Sequence, residues 1–249
     1  MLTVALSIAP GCATDAAPER SPQERRLAAI DAALADHRLR AAHDEIESGL
    51  VESPDDLALL DRKLVTLRIE GNERAAFLLA QQLRARSPQD ANRAYEVGEL
   101  ATQLGDRATA RAAFEAAGRL APDDWRPDVA LATLALDERE PDLEDDGAIA
   151  HRLANWLDGP SARVEARHLA ACLAERRGDR AGARARFERA LELDPRHLPT
   201  LLALAHLVEA AGEKPAALAL WRRALAATPA EQAIRRREIE RRCAALEHP

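Results

Sequence analysis

Aromatic residues make up only 3% of this 249-residue chain, and it holds just two lysines, Lys63 and Lys214, and three cysteines, Cys12, Cys172 and Cys243. The cysteines lie far apart, without the paired spacing of a zinc ribbon or a redox motif. No run alternates apolar and polar residues rich in Val, Ile, Thr and Tyr, so no sheet is expected. Past the first ten residues no stretch approaches the roughly 20 apolar residues that a membrane-crossing helix needs. Nucleophile motifs, phosphate loops, paired-carboxylate arrangements and metalloprotease signatures are missing too, so the reading is of a non-enzyme that needs no cofactor. A formal net charge of −7 repels phosphate backbones, which argues against nucleic acid as a partner.

What is present is a globular balance of 47% hydrophobic and 31% charged residues. Alanine and leucine fill the apolar positions and the charges are mostly Arg, Glu and Asp, a composition suited to closely packed helices. The organising feature is a period. Pro54, Pro88 and Pro122 are 34 residues apart, and so are Pro195 and Pro229. Glycine keeps phase with them: Gly71, Gly105, Gly178 and Gly212 each stand 17 residues before a proline. Ala42, Ala76, Ala110, Ala183 and Ala217 fall 12 residues before the same prolines, where two touching helices need a small side chain.

The stretch GDRAGARARFERALELDP, residues 178–195, and the weaker GDRATARAAFEAAGRLAP, residues 105–122, resemble the tetratricopeptide repeat family. The resemblance implies an all-α, right-handed solenoid of helical hairpins, about thirteen helices, with six repeats over residues 23–231 starting near Gln23, Leu57, Ala91, Trp125, Val164 and Leu198. It also implies core positions on the second helix of each hairpin: Ile46, Ala80, Phe114, Phe187 and Trp221, and three residues on, Gly49, Leu83, Ala117, Ala190 and Ala224.

The fourth repeat breaks step, because Pro122 and Pro195 are 73 residues apart, five more than two periods. The carboxylate-rich run at residues 137–147, with Pro141, is the expected site of the insertion: a solvated acidic loop between the two helices of that hairpin. After Pro229, Ile239, Cys243 and Leu246 recur at helical spacing among arginines. Residues 232–249 therefore read as a capping helix, which an array of repeats needs to cover its last apolar face.

Residues 1–22 stand outside the repeat. An apolar stretch, Leu2 to Pro10, runs into Gly11-Cys12 and a polar tether, and resembles the end of a bacterial lipoprotein signal, which would make Cys12 the lipidated residue and place the chain at the periplasmic side of the envelope. The alternative is a cytoplasmic leader on an adapter without an anchor. The combination of repeats and lipidated cysteine resembles the pilotin lipoproteins of type IV pilus systems, and implies help in assembling a multiprotein complex.

In the tetratricopeptide family the first helix of each hairpin lines a concave groove that holds a protein or peptide. Carried onto this chain, the groove positions are Asp61 and Arg68 in the second repeat, Asn92, Tyr95, Glu99 and Gln103 in the third, and Arg126 and Thr133 in the fourth. In the last two they are His168, Cys172, Glu175, Arg176, His206 and Glu209. Tyr95, the only tyrosine, is the best anchor, since it buries area while offering a hydroxyl. Leu27 and Asp31 stand where one branch of the family places a lysine and an asparagine to clamp a terminal carboxylate, so no such chaperone binding is expected. His168, Cys172 and His206 are soft ligands on neighbouring helices, but helices about 10 Å apart strain a zinc site that needs bonds near 2.0–2.3 Å; no metal is expected.

Overall fold

The computed structural model describes residues 21–137 and 143–247. Cys12 and most of the tether therefore lie outside the described residues, as do positions 138–142 of the acidic run. Among the described residues there are thirteen α-helices, one 3-10 turn and no strand. The helices are α1 Pro22–Ala35, α2 Leu39–Glu52, α3 Leu57–Ile69, α4 Glu73–Arg86, α5 Ala91–Gln103, α6 Arg107–Leu120, α7 Trp125–Leu136, α8 Leu143–Ala154, α9 Val164–Arg176, α10 Arg180–Leu193, α11 Leu198–Ala210, α12 Lys214–Ala227 and α13 Ala233–Glu247.

The hairpins arise from punctuation written into the repeat. Two residues after each of the first three phased prolines stands an aspartate whose carboxylate caps the next helix: Asp56 accepts from the backbone N–H of Ala58 at 2.8 Å, Asp90 from Asn92 at 2.9 Å and Asp124 from Arg126 at 3.0 Å. Such a cap satisfies an orphan amide donor and favours the helix by about 1 kcal/mol. The turn inside the hairpin needs one residue in the left-handed region, and Gly71, Gly105, Gly178 and Gly212 supply it at φ between +72° and +79°. In the first hairpin that place, 34 residues before Gly71, is taken by His37 at φ 56°.

The chain divides within α4 into two compact units, residues 1–83 and 84–249. In the first, Ile30 and Ala33 of α1 meet Ala42 and Ile46 of α2 and Leu59 of α3, all buried. Gly49 lets α2 and α3 approach, because a Cβ there would stand 2.6 Å from Leu59 Cδ1. In the second unit, the core around α9 to α13 is built on Phe187 and Trp221 over Ala171, Ala183, Ala205, Ala217 and Ala224. The phased positions read from the sequence are all buried: Ala42, Ala76, Ala110, Ala183 and Ala217 are completely inaccessible, and each bulky residue with its partner three residues on is buried as well. At the end, Ile239 and Cys243 of α13 are buried, with Leu246 packed beside them. Arg236 donates to the carbonyls of Leu225 at 3.1 Å and Thr228 at 2.8 Å, so one arginine of that helix closes the C-terminus of α12 instead of facing water.

The fourth hairpin departs from the expected loop. Residues 143–147 are not loop but the first turns of α8. The longer addition lies after α8, where residues 155–163 form a nine-residue connection, with a 3-10 turn at Gly159–Ser161, in place of the four residues that join other hairpins. Asp146, taken from the sequence as part of a solvated run, is fully buried and pairs with Arg176 and, at 2.9 Å, with Arg177 of the α9 terminus. The charge run concealed a core carboxylate because its partners lie 30 and 31 residues away.

Candidate partner-binding face

The first helices of successive hairpins in the second unit touch one another, α7 on α9 and α9 on α11, which sets their groove positions side by side. The best-defined group lies on α5 and α7. Tyr95, half-buried, packs against Phe114 with ring centroids 5.2 Å apart, and the Arg126 guanidinium lies over the Tyr95 ring at 5.0 Å from its centroid. Arg126 is held there by the Asp124 carboxylate at 2.6 Å and donates to Asn92 Oδ1 at 2.8 Å. Asp124 is doubly used, since the same carboxylate caps α7. Its hydrogen bond to Arg126 lowers the Asp124 pKa and raises that of the guanidinium, while burial, assisted by Glu99, raises the Tyr95 pKa. The result is a neutral phenol held by a ring and a cation, with its position set before any ligand arrives.

A second group joins α9 and α11. His168 Nε2 stands 3.6 Å from Cys172 Sγ, and Thr200 Oγ1 stands 3.2 Å from His168 Nδ1 and 2.7 Å from His197 Nδ1, so one hydroxyl bridges two imidazoles. The His168 ring also packs on Phe187 and His197, each with centroids 5.6 Å apart. Burial, then the neighbouring His197, pushes His168 down to about 4, and burial pushes the Cys172 thiol up to about 11. At neutral pH both are uncharged. Neither is poised as an acid, base or thiolate nucleophile.

His206 does not join that group. Its ring sits edge-on to Trp221 at 4.7 Å, beside Glu209, which accepts from Trp221 Nε1 at 2.9 Å and from Arg242 at 3.3 Å. His206 thus stays apart from the His168–Cys172 pair, and no cluster of three or more metal-binding side chains occurs among the described residues. Arg176, read as a groove residue, is only 16% exposed and is committed to Asp146 and the Ala135 carbonyl, which makes it a strut between helices. Gln103, Thr133 and Glu175 are exposed, Glu99 is partly so, and Thr133 turns its hydroxyl onto the Val129 carbonyl of its own helix.

In the first unit Asp61 is half-buried and Arg68 exposed on α3. Between and beyond them Val65 and Ile69 are 44% and 46% exposed. These two stand at the ninth and thirteenth positions of the second repeat, and attention to polar groups alone passed over them. Also missed were Asp124, which orients Arg126, and the pair His197 and Thr200. For Asp124 the signal was present in its place two residues after Pro122; His197 holds the matching place after Pro195 but makes no side-chain cap, and Thr200 meets His168 from the next repeat.

No protein-family model matches the sequence, and no curated protein matches it. Solved structures do. A tetratricopeptide repeat protein from Parabacteroides merdae superposes with a TM-score of 0.69 at 16% identity, over 83% of this chain and 80% of that one. A thermophilic TPR protein of Thermus thermophilus gives 0.58 at 21% identity, over 74% and 95%. A chain of the APC/C hetero-tetramer Cut9–Hcn1 gives 0.65 at 14% identity, over 89% of this chain and 42% of that one. The fold is thus of the tetratricopeptide helical-repeat class.

Proposed function

We propose that this chain is a non-catalytic scaffold that binds a partner protein or peptide on the first-helix face of its second unit, with Tyr95 as the anchor. The carrying observation is the Tyr95 environment. An amphipathic ring, half-buried against Phe114 and backed by Arg126, presents its remaining surface at little entropic cost, which is the chemistry of an interface hot spot. The neutral His168 and Cys172 favour binding over chemistry on the same face. The Cut9–Hcn1 likeness, a chain from a multi-subunit complex, supports the same reading at the level of fold. The test is a pull-down from lysate of the native host, with partners identified by mass spectrometry. Tyr95→Ala should lose the partner by about 2 kcal/mol, roughly thirtyfold in Kd, in a chain that a thermal melt shows to be still folded though less stable for the loss of a half-buried ring. Retention of the same partner at full affinity would reject the face.

The reading extends to the leader. Leu2 to Pro10 followed by Gly11-Cys12 supports a lipid anchor at Cys12, with the repeats at the periplasmic side of a bacterial membrane and a role in assembling an envelope complex of the pilus or secretion type. No described helix is long and apolar enough to cross a membrane, so attachment rests on the lipid. A diacylglyceryl adduct in the intact mass, lost in Cys12→Ala, is the expected result; an unmodified chain in the soluble fraction would instead favour the cytoplasmic adapter.

A further inference from the structure

The lengthened connection after α8 creates a feature that the regular junctions lack. Where it crosses α9 and α10, Leu157, Asp158, Arg167, Ala170, Arg186 and Arg189 line a cleft of about 190 Å³. Three guanidiniums in one small cleft are unexpected in a chain of net charge −7. Arg167 is the fixed member. Its side chain is 15% exposed, and it donates to the carbonyls of Leu157 at 2.6 Å and Arg189 at 2.8 Å. Those carbonyls orient the guanidinium but do not neutralise it, and its counter-charge, Asp158 at 3.3 Å, is itself 82% exposed. A cation held in a partly dry site against a mostly hydrated carboxylate leaves a positive potential in the cleft. Among the described residues Arg186 pairs with Asp179, at 3.7 Å with both side chains about half exposed. Arg189 is exposed and pairs with no carboxylate among the described residues.

We propose that this cleft binds a carboxylate side chain from an acidic segment of a partner protein. A planar, bidentate acceptor matches the forked geometry of a guanidinium, and Arg186 and Arg189 stand exposed beside the fixed Arg167. The cleft is of a size for one Glu or Asp side chain and not for a folded surface. A nucleic-acid backbone fits less well, since the net charge of the chain opposes an extended polyanion. The site is separate from the Tyr95 face: on α9, His168, Cys172 and Glu175 form one stripe at i, i+4 and i+7, whereas Arg167 and Ala170 lie on another. It stands or falls independently of that face.

The experiment is fluorescence anisotropy of the full chain with a labelled hexaglutamate peptide at low ionic strength. Arg186→Ala with Arg189→Ala, both exposed and outside the core, should weaken binding about tenfold or more, while Arg235→Ala with Arg237→Ala on α13, an equal change of charge, should alter it less than about twofold. Circular dichroism melts confirm that both variants fold. Equal losses in the two variants would overturn the proposal in favour of diffuse attraction.

Discussion

The hairpins α9–α10 and α7–α8 are neighbours in sequence and are held by different physics. In α9–α10 each device is local or periodic: Gly178 makes the turn, Asp179 caps α10 by accepting from Gly182 N at 2.8 Å, and Ala183, Phe187 and Ala190 form the buried stripe. In α7–α8 the buried stripe of the second helix runs Asp146, Ile149, Leu153 and ends on Trp156, beyond the helix. Trp156 is kept in place by donating to Asp128 at 2.9 Å, and Asp146 by two arginines from α9. A repeat that fits its period spreads its stability over many small contacts. One that has slipped out of period hangs on a few specific ones, so single substitutions should count for more there.

The largest effect should therefore come from Asp146→Ala. Removing the carboxylate strands the mostly buried Arg176 and should cost about 3 kcal/mol in denaturant unfolding. Glu213→Ala, which breaks the exposed pair that links Arg184 of α10 to the α11–α12 turn of the next regular hairpin, should cost under about 0.5 kcal/mol. Similar losses at both would erase the distinction. Next comes pH. His168 takes up a proton near 6.5 when unfolded but only at about 4 when folded, so between those values the unfolded state binds more protons. Stability at His168 is full above pH 6.5 and declines as pH falls towards 4, by on the order of 2 kcal/mol after allowance for its residual exposure. His168→Gln should flatten that slope; an unchanged slope would place the titrating group elsewhere.

Two glycine substitutions should have small effects of opposite sign in the two hairpins. Gly178→Ala forces a Cβ into the left-handed region and should destabilise by about 1 kcal/mol. Gly147 lies inside α8 with nothing within 4 Å of where its Cβ would be, so Gly147→Ala should stabilise by about 0.5–1 kcal/mol. Thermal melts of the two variants check the pair, and a loss at Gly147 would mean that α8 needs its glycine.

Much of the fold was legible because its determinants recur. The repeat frame that the resemblance implied began near Leu57, Ala91, Trp125, Val164 and Leu198, where α3, α5, α7, α9 and α11 start, and the phased alanines are buried. The fourth hairpin was less legible because nothing there recurs: α8 begins inside an acidic run, and its buried carboxylate looks like any solvated one. Of the candidate face, Tyr95, Asn92 and Arg126 were named from the repeat frame and are brought together by it. Arg176, Thr133 and His206 were named by the same frame and have other engagements.

The sequence by itself determined the helical hairpins, their caps and turns and the small residues at their contacts, since each depends on side chains within one 34-residue period. Only the tertiary structure decided what the charges do. Whether Asp146 is solvent-facing or core, whether Arg176 is a groove residue or a strut, and whether Arg167, Arg186 and Arg189 share a cleft all depend on distances between different helices. A charged side chain is ambiguous by type, because burial and partner set its energy, and neither is written in its neighbours along the chain.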